Sequence, residues 1–162
     1  MYHVCNRGSR KGGLFESDDD YRGFVELMNE ARKKRPMRIT AYCLMRTHFH
    51  FLLWPQADGD VPRFMQWLTT THASRWHRQR QTVGTGAVYQ SRYVSKPISD
   101  ARHYFTVLRY VERNALTAGV VKRAEEWRWG SAWSHHRSDA PFVVDEGPIP
   151  RPTNWLSILN DL

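Results

Sequence analysis

The chain has 162 residues, of which 41% are hydrophobic and 13% aromatic, a composition that suits one domain with a single core and excludes a disordered chain. The formal net charge is +8, and it is unevenly distributed: residues 1–138 carry a net +11, whereas residues 139–162 contain one Arg against four acidic side chains. A basic body of this kind favours a polyanionic partner such as nucleic acid. Two cysteines cannot build a disulfide framework, and no apolar run reaches the roughly 18 residues that span a membrane. We therefore expect a reduced, cytoplasmic protein with no membrane partner.

The first half of the chain alternates between strand patterns and helix patterns. Residues 2–6 form a predicted strand, followed by a Gly-rich loop. Ser17 is a good N-cap, and three aspartates follow it at the positive end of a predicted helix that stops before Pro36. Residues 37–45 and 49–54 then form two predicted strands joined by a turn at Arg46-Thr47.

The second half continues with a helix at 62–80, a strand at 88–94 and a third helix at 101–113 capped by Asp100. A short Trp-rich helical segment falls within 120–136. This order predicts an α+β fold of the ferredoxin-like βαββαβ type, with an antiparallel sheet, both long helices on one face and an additional third helix. The domain is expected to span residues 1–138, and the acidic, Pro-rich tail at 139–162 is expected to be flexible.

The triplet His48-Phe49-His50 lies on a predicted strand. Residues i and i+2 of a strand point to the same face, so the two imidazoles lie side by side while Phe49 faces the core. Two neutral imidazoles at this spacing can share one divalent metal. Two solvent-facing histidines without a metal give the same pattern, but the apolar residues 51–54 anchor the pair on a rigid element.

The third helix offers a partner for this histidine pair. Tyr110 and Asn114 are one helical turn apart at the edge of its apolar face, so the phenol and the amide can both reach one site. The spacing alone is equally compatible with a boundary aromatic residue and a helix C-cap. The competing tyrosines are core candidates on a strand or a helix face, or flank a polar loop: Tyr42, Tyr104, Tyr89 and Tyr93.

Six segments spread over residues 2–135 together carry a family resemblance. They are YHVCNRG at 2–8, the acid-led helix after Ser17, AYCLMRTHFHFLLWP at 41–55, GAVYQSRYVSKPI at 86–98, LRYVERNALTAGVV at 108–121 and EEWRWGSAW at 125–133. In combination they resemble the single-tyrosine HUH transposases, named for their His-hydrophobic-His motif, and most closely the REP-associated tyrosine transposases.

The resemblance implies a metal-dependent nuclease and strand transferase that acts on single-stranded or hairpin DNA. His48 and His50 correspond to the metal ligands, Asn114 to the polar third ligand and Tyr110 to the nucleophile that forms a 5′-phosphotyrosine. The implied cofactor is Mg²⁺ or Mn²⁺, and the implied location is the cytoplasm in association with the nucleoid. The chain departs from the family pattern in two places: Arg46-Thr47 replaces the usual Pro-Asn, and Ala115 replaces the usual Pro after the asparagine.

Basic and aromatic side chains interleave in the second half of the chain, as in grooves that bind single-stranded DNA. A charge run of this kind is also typical of a solvated helix face. The expected DNA contacts are Arg7, Arg75, Trp76, Arg78, Arg92 and Lys96. Two other functions fit the same residues: a catalytically silent nucleic-acid-binding domain, and a metal hydrolase that uses a bound water. The chain is expected to act as a monomer or a homodimer.

Overall fold

The computed structural model describes residues 1–161 and contains one four-stranded sheet with helices on both faces. Its elements in chain order are β1 (Tyr2–Arg7), α1 (Asp18–Lys34), β2 (Arg38–Met45), β3 (His48–Trp54), α2 (Asp60–Arg80), β4 (Val94–Pro97), α3 (Ala101–Glu112), α4 (Asn114–Thr117), a 3-10 turn (Ala124–Glu126), α5 (Ser131–Ser134) and α6 (Trp155–Asn160). None of the helices within residues 1–161 has the length and apolarity that crossing a bilayer requires.

The strand order is β2-β3-β1-β4, and every neighbouring pair is antiparallel. Helix α1 connects β1 to β2, and β3 lies between these two strands in the sheet. Helix α2 connects β3 to β4, and β1 lies between those two. Two interleaved strand–helix–strand units of this kind define the ferredoxin-like arrangement. The fold class predicted from the sequence is confirmed.

One face of the sheet is covered by α1 and α2. Helix α1 begins at a capping box in which the Ser17 side chain accepts a hydrogen bond from the Asp20 backbone N–H. Phe24 of α1 and Phe64 of α2 are buried in the same cluster as Phe49 and Phe51 of β3. The prediction that both long helices lie on one face is therefore confirmed, and so is the inward orientation of Phe49.

The opposite face is covered by α3. Tyr104, Leu108 and Val111 are buried there, at the helical spacing that the sequence predicted. They share a smaller apolar cluster with Cys43 of β2 and Leu52 of β3. Helix α3 therefore crosses the face of the sheet to which the side chains of His48 and His50 also belong.

The fourth strand lies later in the chain than predicted. Strand β4 pairs with β1 from Val94 to Pro97, whereas the predicted segment 88–94 contributes only an isolated bridge between Tyr89 and Gly8. Val88 is buried, and the Tyr89 hydroxyl lies 2.5 Å from His72 Nδ1 on α2. The alternating pattern at 88–94 thus reflects side-chain burial beneath α2, which a sequence pattern cannot distinguish from strand pairing.

The C-terminal tail, expected to be flexible, packs against the body instead. Phe142 and Leu159 are fully buried, and the Asp145 carboxylate accepts a hydrogen bond of 2.8 Å from the Ile39 backbone N–H of β2. Arg151 forms an ion pair of 2.6 Å with the buried Glu112 of α3. The acidic, Pro-rich composition did not indicate these contacts, because each of them is made with a residue that is distant in the sequence.

Candidate active site

Three elements meet where β3 and β1 lie beneath the C-terminal half of α3. The register pairs Cys5 with His50 and His3 with Leu52, so side chains from both strands point towards α3 at this place. His48 and His50 contribute two imidazoles from β3, as their i and i+2 spacing predicted. Their rings lie 5.1 Å apart, nearly perpendicular to each other.

His48 is held between the turn before β3 and the start of α4. Its Nδ1 atom lies 3.0 Å from the Thr47 hydroxyl, and its Nε2 atom lies 3.4 Å from Oδ1 of Asn114. Burial lowers the pKa of His48, although the contact with Asn114 raises it. The imidazole is therefore held neutral at physiological pH and its Nε2 atom faces the Asn114 amide.

His50 is more deeply buried, with only 6% of its surface exposed. Its Nδ1 atom lies 3.0 Å from Nε2 of His3, and the two rings are nearly parallel, with 5.2 Å between their centroids. Burial, with further contributions from His3, His48 and Arg7, lowers the pKa of His50 to about 3. A neutral ring can donate an electron pair to a cation, which a protonated ring cannot do.

Tyr110 projects from α3 beside this histidine cluster. Its ring centroid lies 5.3 Å from that of His50 and 5.7 Å from that of His3, with both pairs edge to face. Half of its surface, 50%, remains exposed, which is unusual for a large aromatic side chain in this fold. A phenol at this position is accessible to a substrate and is not packed away in the core.

The spacing of two candidate donor atoms at this site is compatible with a small divalent cation. Two ligands at right angles on an octahedral ion with bonds of about 2.1 Å are separated by about 3 Å, which the 3.4 Å between His48 Nε2 and Asn114 Oδ1 approaches. A mixed set of imidazole nitrogens and an amide oxygen suits Mn²⁺ and is acceptable to Mg²⁺. The part of the chain that the structure describes has no cluster of three His, Cys, Asp or Glu side chains for a metal, so a third protein donor here would be the Asn114 amide.

The family model described as transposase IS200-like matches residues 1–114, a range that includes both histidines, Tyr110 and Asn114. The chain belongs to the IS200-like transposase family. It is accordingly an enzyme of the tyrosine transposase class, and the family resemblance seen in the sequence is confirmed. No curated protein matches the sequence of this transposase.

Solved structures agree with the fold of the transposase. It is similar to a REP-associated tyrosine transposase bound to a REP hairpin, with a TM-score of 0.69 and 15% sequence identity over 89% of this chain and 85% of the other. It is also similar to a protein from Deinococcus radiodurans R1 assigned to the transposases, with a TM-score of 0.51 and 17% identity over 68% of this chain and 87% of the other. At these identities the likeness establishes the fold.

His3 is the residue of this site that the sequence analysis missed. It lies 45 positions before His48 and carries no spacing motif of its own. Only the pairing of β1 with β3 brings it next to His50. The available signal was the position of His3 on the first strand, but the strand register was needed to interpret it.

Five of the six expected DNA contacts of the transposase are exposed, and they fall into three groups. Arg7 and Lys96 are exposed on strands at the histidine cluster. In the strand register, Arg7 lies opposite His48 and Lys96 lies opposite His3. Arg92 is exposed in the loop before β4. Arg75 and Arg78 are exposed on α2, on the opposite side of the sheet, and Arg75 forms an ion pair of 2.8 Å with Glu30 of α1.

Trp76 requires a correction, because the structure buries the ring that was expected to stack on DNA. Only 6% of its surface is exposed, and its indole N–H donates a hydrogen bond of 3.2 Å to the Leu14 carbonyl. The guanidinium of Arg80 covers the ring at 4.2 Å. Interleaved cations and aromatics on α2 thus form a cation–π contact within the protein, and the ring is not available to a base.

Proposed function

We propose that this transposase is a metal-dependent endonuclease and strand transferase for single-stranded DNA, with Tyr110 as its nucleophile. One observation carries the proposal: a half-exposed tyrosine lies 5.3 Å from a buried, neutral histidine, and the amide one turn further on faces the second histidine. His48, His50 and Asn114 would hold Mg²⁺ or Mn²⁺. The bound cation supplies charge neutralisation at the scissile phosphate, which every such reaction requires.

The remaining chemistry belongs to the side chains of the protein. The Tyr110 oxygen forms a bond to phosphorus as the bond from phosphorus to O3′ breaks, and the released oxygen takes up a proton to become a 3′-OH. The phenol proton passes to solvent at the exposed edge of the ring. The 5′ end stays attached as a phosphotyrosine ester, so a second 3′-OH can reverse the step and join two strands.

The proposed DNA path runs over the edge of the histidine cluster. Arg7 and Lys96 flank the histidines on β1 and β4, and Arg92 extends the positive surface along the loop before β4. These cations can neutralise phosphates on both sides of the cleaved bond. We propose a hairpin-forming repetitive palindrome as the substrate, because the similar transposase was solved with a REP hairpin.

A single chain can carry out the proposed reaction. Tyr110 and both histidines come together within one copy, at the distances given above. No residue from a second copy is needed to complete the set. We therefore propose a monomer as the active form, although a homodimer would still be active if each copy kept its own site.

The test is covalent capture of DNA. The protein is incubated with Mn²⁺ and a hairpin oligonucleotide labelled on the 5′-phosphate side of the expected cut, and the adduct is resolved on a denaturing gel. We expect a labelled adduct with the wild type, none with Tyr110→Phe, and wild-type yield with the matched control Tyr93→Phe. His48→Ala is expected to abolish the adduct while changing DNA affinity by no more than a few-fold.

Two results would point to the other functions. Tight DNA binding without cleavage at any Mn²⁺ or Mg²⁺ concentration would indicate a silent binding domain. Cleavage that persists in Tyr110→Phe would indicate a hydrolase that uses a bound water.

A further inference from the structure

His3 has no part in the reaction described above, yet it makes the closest polar contact to His50. The Nε2 atom of His3 lies 3.0 Å from Nδ1 of His50, and the two rings are nearly parallel, with an interplanar angle of 20°. Such a distance is a full hydrogen bond between two ring nitrogens. One of these nitrogens must therefore carry a hydrogen and the other a lone pair.

The two histidines of β3 are held in the same way. His48 uses Nδ1 for the Thr47 hydroxyl at 3.0 Å, and His50 uses Nδ1 for His3 at the same distance. This leaves Nε2 of His48 facing Asn114, and Nε2 of His50 has no hydrogen-bond partner among residues 1–161. In each ring, Nδ1 forms a hydrogen bond within the protein, and Nε2 is the nitrogen that can act as a metal ligand.

We propose that His3 is a positioning residue that fixes the orientation and tautomer of His50, so that the Nε2 lone pair of His50 points into the cation site. This inference rests on the proposed function, which makes His50 a metal ligand. For Nε2 of His50 to be unprotonated in a neutral ring, Nδ1 must carry the hydrogen and donate it to Nε2 of His3. Outer partners of this kind hold metal-binding histidines in place and increase the basicity of the ligating nitrogen.

The sheet itself fixes this contact. Because β1 pairs with β3 from Tyr2 to Arg7, the backbone of His3 cannot shift relative to that of His50 without breaking the strand ladder. The ring of His3 also packs edge to face against Tyr110 at 5.7 Å. His3 therefore contacts both a proposed ligand and the proposed nucleophile, and its loss should disturb the ligand first because only that contact is a hydrogen bond.

The first measurement uses the wild type without metal. Long-range ¹H–¹⁵N correlation spectra distinguish protonated from unprotonated ring nitrogens, and His50→Gln assigns the signals of His50. We expect His50 to be protonated at Nδ1 and unprotonated at Nε2. The reverse tautomer in the metal-free protein would overturn the proposal.

The second measurement compares variants at position 3. His3→Phe keeps an aromatic ring at this position but removes the hydrogen bond, whereas His3→Gln offers an amide oxygen that can accept from Nδ1 of His50. We expect Mn²⁺ affinity, measured by water proton relaxation, to fall about 10- to 100-fold in His3→Phe. His3→Gln is expected to bind Mn²⁺ within about threefold of the wild type, as is the control His136→Phe, whose side chain is exposed.

The outcomes separate this inference from the proposed function. Wild-type Mn²⁺ affinity in a folded His3→Phe variant would overturn the positioning role and leave the nuclease proposal intact. Absence of Mn²⁺ and Mg²⁺ binding in the wild type would contradict the proposed function, and the tautomer of His50 in the metal-free protein would still decide whether His3 orients it. If His3→Phe does not fold, His3→Gln and the wild-type spectra carry the test.

Discussion

One face of the sheet forms the main apolar core, and the other holds the candidate active site. The neighbouring residues Phe49 and His50 show this difference, because each points to one of the two faces. Phe49 is fully buried with Phe24 and Phe51 beneath α1, in a large cluster that consists of aromatic and aliphatic side chains. His50, the next residue, faces α3 among polar groups and a half-exposed tyrosine. The face beneath α1 and α2 supplies most of the apolar burial that stabilises the fold. This burial offsets the loss of folding free energy caused by the polar groups on the face beneath α3.

The difference shows how a domain of this size can accommodate a buried, reactive cluster. Apolar burial contributes roughly 25 cal/mol per Å², and most of it comes from the α1–α2 face. The α3 face contains buried or partly buried histidines and the ion pair between Glu112 and Arg151. Groups of this kind cost free energy when they are buried, unless each has a partner.

The largest expected effect comes from the packed face. Phe49→Ala removes a fully buried ring and should lower the free energy of unfolding by about 4 kcal/mol, measured by urea denaturation. A change on the other face, His50→Gln, should lower it by only about 1 kcal/mol and still abolish adduct formation with hairpin DNA. Similar losses of stability in the two variants would mean that both faces support the fold equally.

The buried ion pair beneath α3 should give the next largest effect. Glu112 accepts hydrogen bonds of 2.6 to 2.7 Å from Arg151, Ser131 and Trp155, and so ties α3 to the C-terminal segment. Glu112→Gln leaves the Arg151 guanidinium buried without its counter-charge and should cost about 3 kcal/mol of unfolding free energy.

A double-mutant cycle with Arg151→Met tests the coupling behind this prediction. The double variant should lose less stability than the sum of the two single variants, because it leaves no uncompensated charge. Additive losses would show that the ion pair is not coupled, and that the polar groups on this face act separately.

The smallest effect concerns a polar group on the packed face and appears as a pH dependence. Burial lowers the pKa of His72 to about 3, and its ring packs edge to face against Phe24 at 4.7 Å. The unfolded chain takes up a proton near pH 6.5 and the folded chain does not, so stability falls as the pH drops below 6.5. This residue alone should make the protein about 2 kcal/mol less stable at pH 5 than at pH 7.

His72→Gln removes this titration and should reduce the stability difference between pH 7 and pH 5 by that amount. The comparison uses urea denaturation at both pH values, so any constant effect of the substitution cancels. An unchanged difference between the two pH values would mean that His72 is protonated in the folded protein as readily as in the unfolded chain.

Local patterns in the sequence were sufficient for the order of the elements and for much of the candidate site. The two-residue period of a strand places His48 and His50 on one face and Phe49 on the other, and this requires no knowledge of the rest of the chain. The helical period likewise places Tyr110 and Asn114 one turn apart. Ser17 and the aspartates after it mark the start of α1 because a cap acts within a few residues.

The tertiary structure decided everything that depends on which distant segments meet. The contact of His3 with His50 requires the register of β1 on β3, the burial of Trp76 requires the loop that contains Leu14, and the ordered tail requires Glu112 as the partner of Arg151. The bounds of β4 changed for the same reason, since burial beneath α2 and pairing with β1 leave the same alternating pattern. The periodicity of each helix and strand can be read from its own residues. The free energy of a long-range contact depends on residues that are far apart in the sequence, and no local pattern connects them.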